Sequence, residues 1–276
     1  MIHMHDWSLT VVPASMSTNA VDLSLRQHLR IEQFRHRVSQ ALGSNVSGTF
    51  ALPSRERMSL YRLLDASLIE IERDVSGSSP TIDWYFAAAR LHLQAFYLLD
   101  DSSTEGYNER VLTLFQTACN FIELSQEMDS SNGSDGTLLA YLPFFSYQVF
   151  VCAAFVVLKI LDNGFFRTMI EADIGRKLMD SAIVRLRTIS VVNNDLPARL
   201  GDVIGFFCAL PDQGALGGET ADDLRLREVK NRLSMSVVYD SLWIWRKQFR
   251  MGDSANQGER SQPLEDEYLT AFCWYT

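Results

Sequence analysis

Between Pro53 and Val75 the chain sets Tyr61, Leu64, Leu68, Ile71 and Val75 at alternating spacings of three and four, with charged residues between them. This is the period of an α-helix with one apolar face. The same period runs through Ile31, Phe34, Val38 and Ala41, and through Val111, Leu114, Ala118 and Ile122. It returns in Ile170, Ile174, Leu178, Ala182, Leu186 and Ile189. On the polar side of that last stretch Asp173 and Lys177, and Arg176 and Asp180, stand four apart, where opposite charges on a helix meet.

Proline punctuates the pattern without breaking it. Pro53, Pro80, Pro143 and Pro197 each fall just before or within the first turn of an apolar-periodic segment, where a missing N–H costs nothing. Between the periodic runs lie SGSSPT (76–81), LDDSSTEGYN (99–108), DSSNGSDG (129–136) and DQGALGGETADD (212–223), which are rich in turn formers and read as loops. The segment LREVKNRLSMSVVYDSLWIWRKQF (226–249) predicts one helix, with Leu226, Val229, Leu233, Val237, Trp245 and Phe249 near one face and Arg232, Ser236 and Asp240 on another. The fold class expected is therefore all-α, a single large helical domain of about eight or more helices without a convincing strand.

From Thr137 to Leu158 no residue is charged, and LPFFSYQVFVCAAFVVL approaches the length of a bilayer span. Pro143, Ser146, Tyr147 and Gln148 occupy its first half and no cationic cluster flanks it, so the reading is a helix buried on all sides by other helices, with no membrane partner.

Composition supports a filled core. The 276 residues are 47% hydrophobic, and the formal net charge of -9 with scattered Lys and Arg gives no surface made to track phosphates. Cys119, Cys152, Cys208 and Cys273 stand too far apart for a local zinc knuckle and read as reduced, buried thiols. The start MIHMHDWSLTVV lacks the basic and apolar regions of a secretory signal, so the sequons at Asn45 and Asn132 carry no meaning. The five histidines, His3, His5, His28, His36 and His92, read as solvated or satisfied core residues rather than metal ligands.

Two acidic stretches invite an enzyme reading. Asp100-Asp101 with Glu105, and Asn194-Asp195 with Asp202, are similar to the two metal-binding motifs of class I terpene synthases, where carboxylates hold magnesium against a diphosphate. The second stretch departs from that pattern: Ala198 stands at the hydroxyl ligand position, and Pro197 interrupts the helical face. The alternative is that NNDLPARL starts a helix, with Asn194 or Asp195 capping it, Asp202 outside, and Val203, Phe206, Phe207 and Leu210 inside. Asp100 and Asp101 then read as a solvated helix end, Arg199 as a partner for Asp195, Asp202 or a ligand, and the chain as no enzyme.

Four blocks, AARLHLQAFYLLDD (88–101), YLPFFSYQVFVCAAFVVLKIL (141–161), GRKLMDSAIVRLRTISVVNNDLPARLGDVI (175–204) and VKNRLSMSVVYDSLWIWRKQF (229–249), carry a resemblance to a known family. In order and spacing they resemble the regulatory domain of fungal zinc-cluster transcription factors, the group of the yeast leucine-biosynthesis regulator, over residues 20–250. The resemblance implies an all-helical, nuclear, homodimeric domain that restrains or permits transcriptional activation of metabolic genes in response to a small molecule. A six-cysteine zinc cluster reads DNA in that family, and it has no counterpart here, so zinc and DNA contact are expected only through a region outside these residues. The chain is then the regulatory portion of such a factor, or a variant that works as a helical scaffold or adaptor without DNA.

An acidic effector implies a cation facing a partly buried cavity, and Arg176, Arg185, Arg187, Arg199 and Arg232 are the candidates. The expected organisation is a flexible tail over 1–19, the regulatory domain over 20–250, and a polar linker with an acidic, aromatic segment over 251–276. Within the last, PLEDEYLTAFCWYT (263–276) has the composition of a segment that docks on a coactivator.

Overall fold

The computed structural model describes residues 20–43, 54–75, 79–131, 142–192, 194–210 and 214–255. Within them the chain is all-α: nine α-helices joined by turns, with no strand among the described residues. Helix α1 (Ala20–Val38) ends in a π-helical turn (Ser39–Gly43), and α2 (Ser54–Val75) follows. Helix α3 (Pro80–Gln94) tightens into a 3-10 stretch (Ala95–Leu99) before α4 (Tyr107–Ser131) and α5 (Phe144–Leu161). The short α6 (Gly164–Arg167), then α7 (Ala172–Thr188), α8 (Leu196–Ala209) and α9 (Ser236–Ala255) complete the order. Helix α9 crosses the expected boundary at residue 250, and the tails over 1–19 and 263–276 lie outside the described residues.

Periodicity placed most of the buried faces. Ile31, Phe34 and Val38 on α1, Tyr61, Leu64, Leu68, Ile71 and Val75 on α2, and Val111, Leu114, Ala118 and Ile122 on α4 are all buried. Helix α7 departs from its expected stripe: Ile174 is 42% exposed, and the inward position of the first turn belongs to Gly175. A Cβ there would stand 2.9 Å from Leu161 Cδ2 and 3.1 Å from Phe115 Cζ. The absent side chain lets α7 approach α5 and α4, and the buried stripe becomes Leu178, Met179, Ala182 and Leu186.

The helix starts follow their capping chemistry. Ser79 Oγ accepts the Ile82 N–H at 3.2 Å, and Pro80 fills the first turn of α3. At the NNDLPARL corner the cap is Asp195, whose Oδ1 accepts the Ala198 N–H at 3.2 Å, while Oδ2 takes Val191 N–H at 2.8 Å. Asn194 makes the bend in the left-handed region, with φ 65. Hydrogen bonding holds the Asp195 carboxyl below its ordinary pKa, although partial burial opposes this.

Helix α5 is the axis. It packs against α3, α4, α7, α8 and α9, and 83% of it is buried inside the protein, which accounts for its membrane-like hydropathy. Its one charged residue, Lys159, is buried and reaches Asp240 of α9, Nζ to Oδ2 3.3 Å, and the Leu216 carbonyl at 3.1 Å. Burial lowers the Lys159 pKa, and Asp240 opposes that shift. The other oxygen of Asp240 accepts the backbone N–H groups of Arg227, Glu228 and Val229 at 3.2, 2.8 and 3.2 Å.

That capture corrects the expected helix over 226–249. Residues 227–229 fold back to meet Asp240, 11 to 13 positions later, which a continuous helix would hold roughly 16–20 Å away, so α9 begins only at Ser236, after a 3-10 turn over Leu233–Met235. Asp240 is accordingly a core residue and not one on a polar face.

A second correction concerns Asp100, expected to be solvated. It is 1% exposed and pairs with Arg57 Nε at 2.6 Å and Arg110 at 3.6 Å, with the Tyr61 hydroxyl donating to it at 3.4 Å. Burial raises its pKa, while the two guanidiniums pull it back. Apolar periodicity cannot reveal such a site, because Arg57 lies 43 positions away on α2.

The loop after α8 is also pinned to α5. Asp162 Oδ2 accepts the N–H groups of Leu216 and Gly217 at 2.5 and 2.9 Å, and Asn163 Nδ2 donates to the Gly217 and Thr220 carbonyls at 2.6 and 2.8 Å. A Cβ on Gly217 would press on the α5 backbone, 2.7 Å from Asn163 N, so glycine is required there.

Replacing Lys159 by Met leaves Asp240 buried without its cation and is expected to destabilise the fold by about 3 kcal/mol or more. The double variant Lys159→Met with Asp240→Leu should not regain that stability, because the N–H groups of 227–229 lose their acceptor. Urea denaturation of the two variants checks this, and full recovery in the double variant would contradict it.

Candidate functional site

Three elements converge where α1 ends. The stripe that seats α1 on α3 carries Arg35 and Ser39 along its flank, and the small residues Ala87, Ala88 and Ala89 of α3 let neighbouring helices approach. Between them and α5 lies a cavity of about 240 Å³. Its walls are Arg35 and Ser39, then Ala88, Leu91 and His92 of α3, then Phe145, Gln148, Val149 and Cys152 of α5. The last wall is the 3-10 turn before α9, Arg232 to Met235, with Tyr239 behind it.

His92 is the fixed point of this cavity. Its Nε2 lies 2.9 Å from Ser39 Oγ and its Nδ1 lies 2.7 Å from Ser234 Oγ. Full burial pushes its pKa from 6.5 down to about 3, and the positive charge of Arg35 adds to the shift. The ring is therefore neutral at physiological pH, with one nitrogen donating and the other accepting. Cys152 Sγ donates to the Ser234 carbonyl at 3.3 Å, and burial raises this thiol to about 12, which removes it as a nucleophile.

Two guanidiniums face the same space. Arg35 stacks 3.7 Å from the centroid of Phe145 and donates to both oxygens of Glu32 at 3.0 Å. Burial lowers its pKa, and Glu32 restores part of it. Arg232 lies over the Tyr239 ring at 5.4 Å. The cavity wall thus combines two guanidiniums, one of them paired with Glu32, with a neutral histidine.

Of the five arginines expected from sequence, Arg232 alone lines this cavity. Arg176 is exposed and pairs with Asp173 at 3.2 Å, and Arg187 pairs with Asp202 at 3.0 Å on the surface. Arg199 donates from Nε to the Asn194 carbonyl at 2.6 Å rather than to Asp195 or Asp202. Arg185 is buried but structural: it pairs with Asp129 at 2.7 Å and donates to the Ser125 carbonyl at 2.9 Å. Ser125 Oγ in turn accepts Trp84 Nε1–H at 2.9 Å, so the three residues lock α3, α4 and α7 together.

Arg35, Ser39, His92 and Ser234 were not singled out as a site by sequence reasoning. A signal for Arg35 existed, since it stands four residues after buried Ile31 and is too close to the apolar stripe to be fully solvated. None existed for Ser234, which lies 142 positions from His92.

Asp101 is engaged by Ser103, whose N–H and Oγ donate at 2.9 and 2.6 Å, and by Arg225 at 3.4 Å. Among the described residues no group of three or more His, Cys, Asp or Glu side chains is placed to hold a metal ion. A larger groove of about 450 Å³ runs between α2, α3 and α4 past Glu72, Arg90, Gln116 and Asn120. None of its polar side chains is buried, so it lacks the fixed, desolvated groups that the His92 cavity has.

The geometry defines an all-helical domain with a small, partly enclosed cavity. No family model, curated protein or solved structure matches the chain.

The His92 ring should make the fold sensitive to acid. The unfolded ring takes up a proton below about pH 6.5 but the folded ring only near 3, so its contribution to stability is complete above 6.5. As pH falls from 6.5 towards 3 that contribution declines by about 1.4 kcal/mol per unit. Urea denaturation between about pH 7 and 4 should show a steeper acid loss for the natural chain than for His92→Gln. Equal slopes would show that the ring titrates normally.

Proposed function

We propose that this chain is the effector-sensing regulatory domain of a fungal zinc-cluster transcription factor controlling metabolic genes. A small organic acid binds in the His92 cavity. The observation that carries the reading is that three of the four blocks resembling that family, 88–101, 141–161 and 229–249, line this one cavity. Its volume of about 240 Å³ is below the usual range for drug-sized ligands, which favours a compact metabolite. Its two guanidiniums favour one that is anionic.

On this reading the ligand binds one arrangement of the helices better than another and shifts the population, which exposes or masks the activating segment over 263–276 for a coactivator. The domain acts in the nucleus as a homodimer. DNA and zinc are engaged through a region outside these residues.

A second reading, a helical scaffold or adaptor acting through protein contacts, is favoured by one feature. Val184, Val191 and Val192 stand 63%, 90% and 67% exposed around the end of α7, uncovered among the described residues.

Thermal shift tests the first reading. Short carboxylic acids from acetate to glutarate should raise Tm, with neutral amides of the same shape as controls. A ligand at a hundred times its Kd contributes about 2.7 kcal/mol. Arg232→Gln should abolish most of the acid shift while leaving the ligand-free Tm within a few degrees. No shift with any acid, or an unchanged shift in Arg232→Gln, argues for the adaptor instead.

A further inference from the structure

Leu233 is held in a conformation that its own chemistry disfavours. Its φ is 54, in the left-handed region where a leucine Cβ crowds the following carbonyl. Both of its neighbours are fastened. The Arg232 carbonyl accepts the Met235 N–H at 3.0 Å, and the Arg232 N–H donates to Ser236 Oγ at 3.0 Å. Ser234 is tied to α3 through His92 at 2.7 Å, and its carbonyl accepts the Cys152 thiol of α5 at 3.3 Å. Strain of this kind persists where the surroundings over-determine it, and here they fix where the leucine side chain must go.

That side chain goes to a notch. Gly43 closes the π-helical turn that follows α1, and a Cβ on it would overlap Leu233 Cδ2. Gly43 does not have a positive φ, so the backbone there does not call for glycine, and the missing side chain serves the contact. Leu233 also lines the His92 cavity, and at 37% exposed it is the most open of the residues that do. It therefore stands at the mouth, between the cavity and solvent.

Resting on the reading that the ligand binds in this cavity, we infer that the Leu233 side chain is a leaf over its mouth, seated on Gly43, and that this leaf limits the length of ligand the cavity takes. The turn that carries the leaf stays fixed by its bonds to His92, Cys152 and Ser236. Only the side chain swings, between staggered rotamers, and its contact with Gly43 is made by its tip. A compact ligand fits the space of about 240 Å³ behind the seated leaf. A longer one holds the leaf off its notch and forfeits that packing. Leu233 is thus the residue that sets ligand size, whatever group the ligand offers to the polar wall.

Cys152 reports on access, because its buried thiol forms part of the cavity wall. The full chain is treated with methyl methanethiosulfonate and with the bulkier benzyl methanethiosulfonate, and labelling is followed at each cysteine by mass spectrometry. Leu233→Gly removes the leaf and relieves the strain, since glycine adopts a positive φ freely. Gly43→Ala keeps the leaf but fills its seat, and the overlap falls on the flexible tip of Leu233 rather than on backbone. A leaf open no more than about a tenth of the time slows entry in proportion, so both variants should label Cys152 about tenfold faster or more. The gain should be larger for the benzyl reagent, while Cys119, buried on α4, keeps its rate. Equal labelling of Cys152 in the natural chain and Leu233→Gly overturns the leaf, and so does a parallel rise at Cys119, which reports general loosening. A gain in Leu233→Gly alone removes Gly43 as the seat, and an equal gain for both reagents removes the size limit. The acid reading has its own arm: succinate should slow labelling of Cys152 in the natural chain, and absence of protection counts against that reading whatever the variants do.

Discussion

The fold turns on an ion pair in its driest region. Lys159 and Asp240, each 1% exposed, meet between α5 and α9. Taking two charges out of water is costly, and the hydrogen bonds that each charge gathers offset that cost. Asp240 uses its second oxygen to collect three backbone N–H groups, and Lys159 uses a second proton on the Leu216 carbonyl. The pair therefore fixes more than two helices: it holds residues 227–229 folded back beside α9 and helps seat the loop at Leu216.

The same rule governs the other charges of the interior. Asp100 sits between Arg57 and Arg110, and Arg185 between Asp129 and a backbone carbonyl, so burial shifts each pKa in the direction of neutrality while a partner restrains it. These nodes hold helices in register and leave little for a ligand. The His92 cavity is different in kind. Its neutral ring is held between Ser39 and Ser234, Arg35 is stacked on Phe145, and these groups border a space that a small ligand can enter.

How far the sequence could be read depended on the range of the interaction. The stripes of α1, α2 and α4, the cap at Asp195 with Pro197 behind it, and the burial of α5 are local patterns, and each stands where the spacing put it. Gly175 replaced Ile174 on the inner face of α7 because close approach to Leu161 and Phe115 outweighed hydrophobicity, and an apolar count gives glycine no weight. Asp100 and Asp240 were misread for one reason: an acidic residue looks solvated until its cation, tens of positions away, is placed beside it. Of the arginines proposed for a ligand, Arg232 reached the cavity, whereas Arg185 went to a structural carboxylate and Arg35 arrived unannounced.

The sequence alone determined the helical class, most inward faces and the helix starts at Pro80 and Asp195, because those rest on periods of three and four residues and on capping bonds within one turn. Tertiary structure decided which charges are buried, where α9 begins and which polar groups share a cavity. Those outcomes depend on partners up to 142 positions apart, and chain order carries no trace of such a meeting until desolvation and pairing have been balanced in three dimensions.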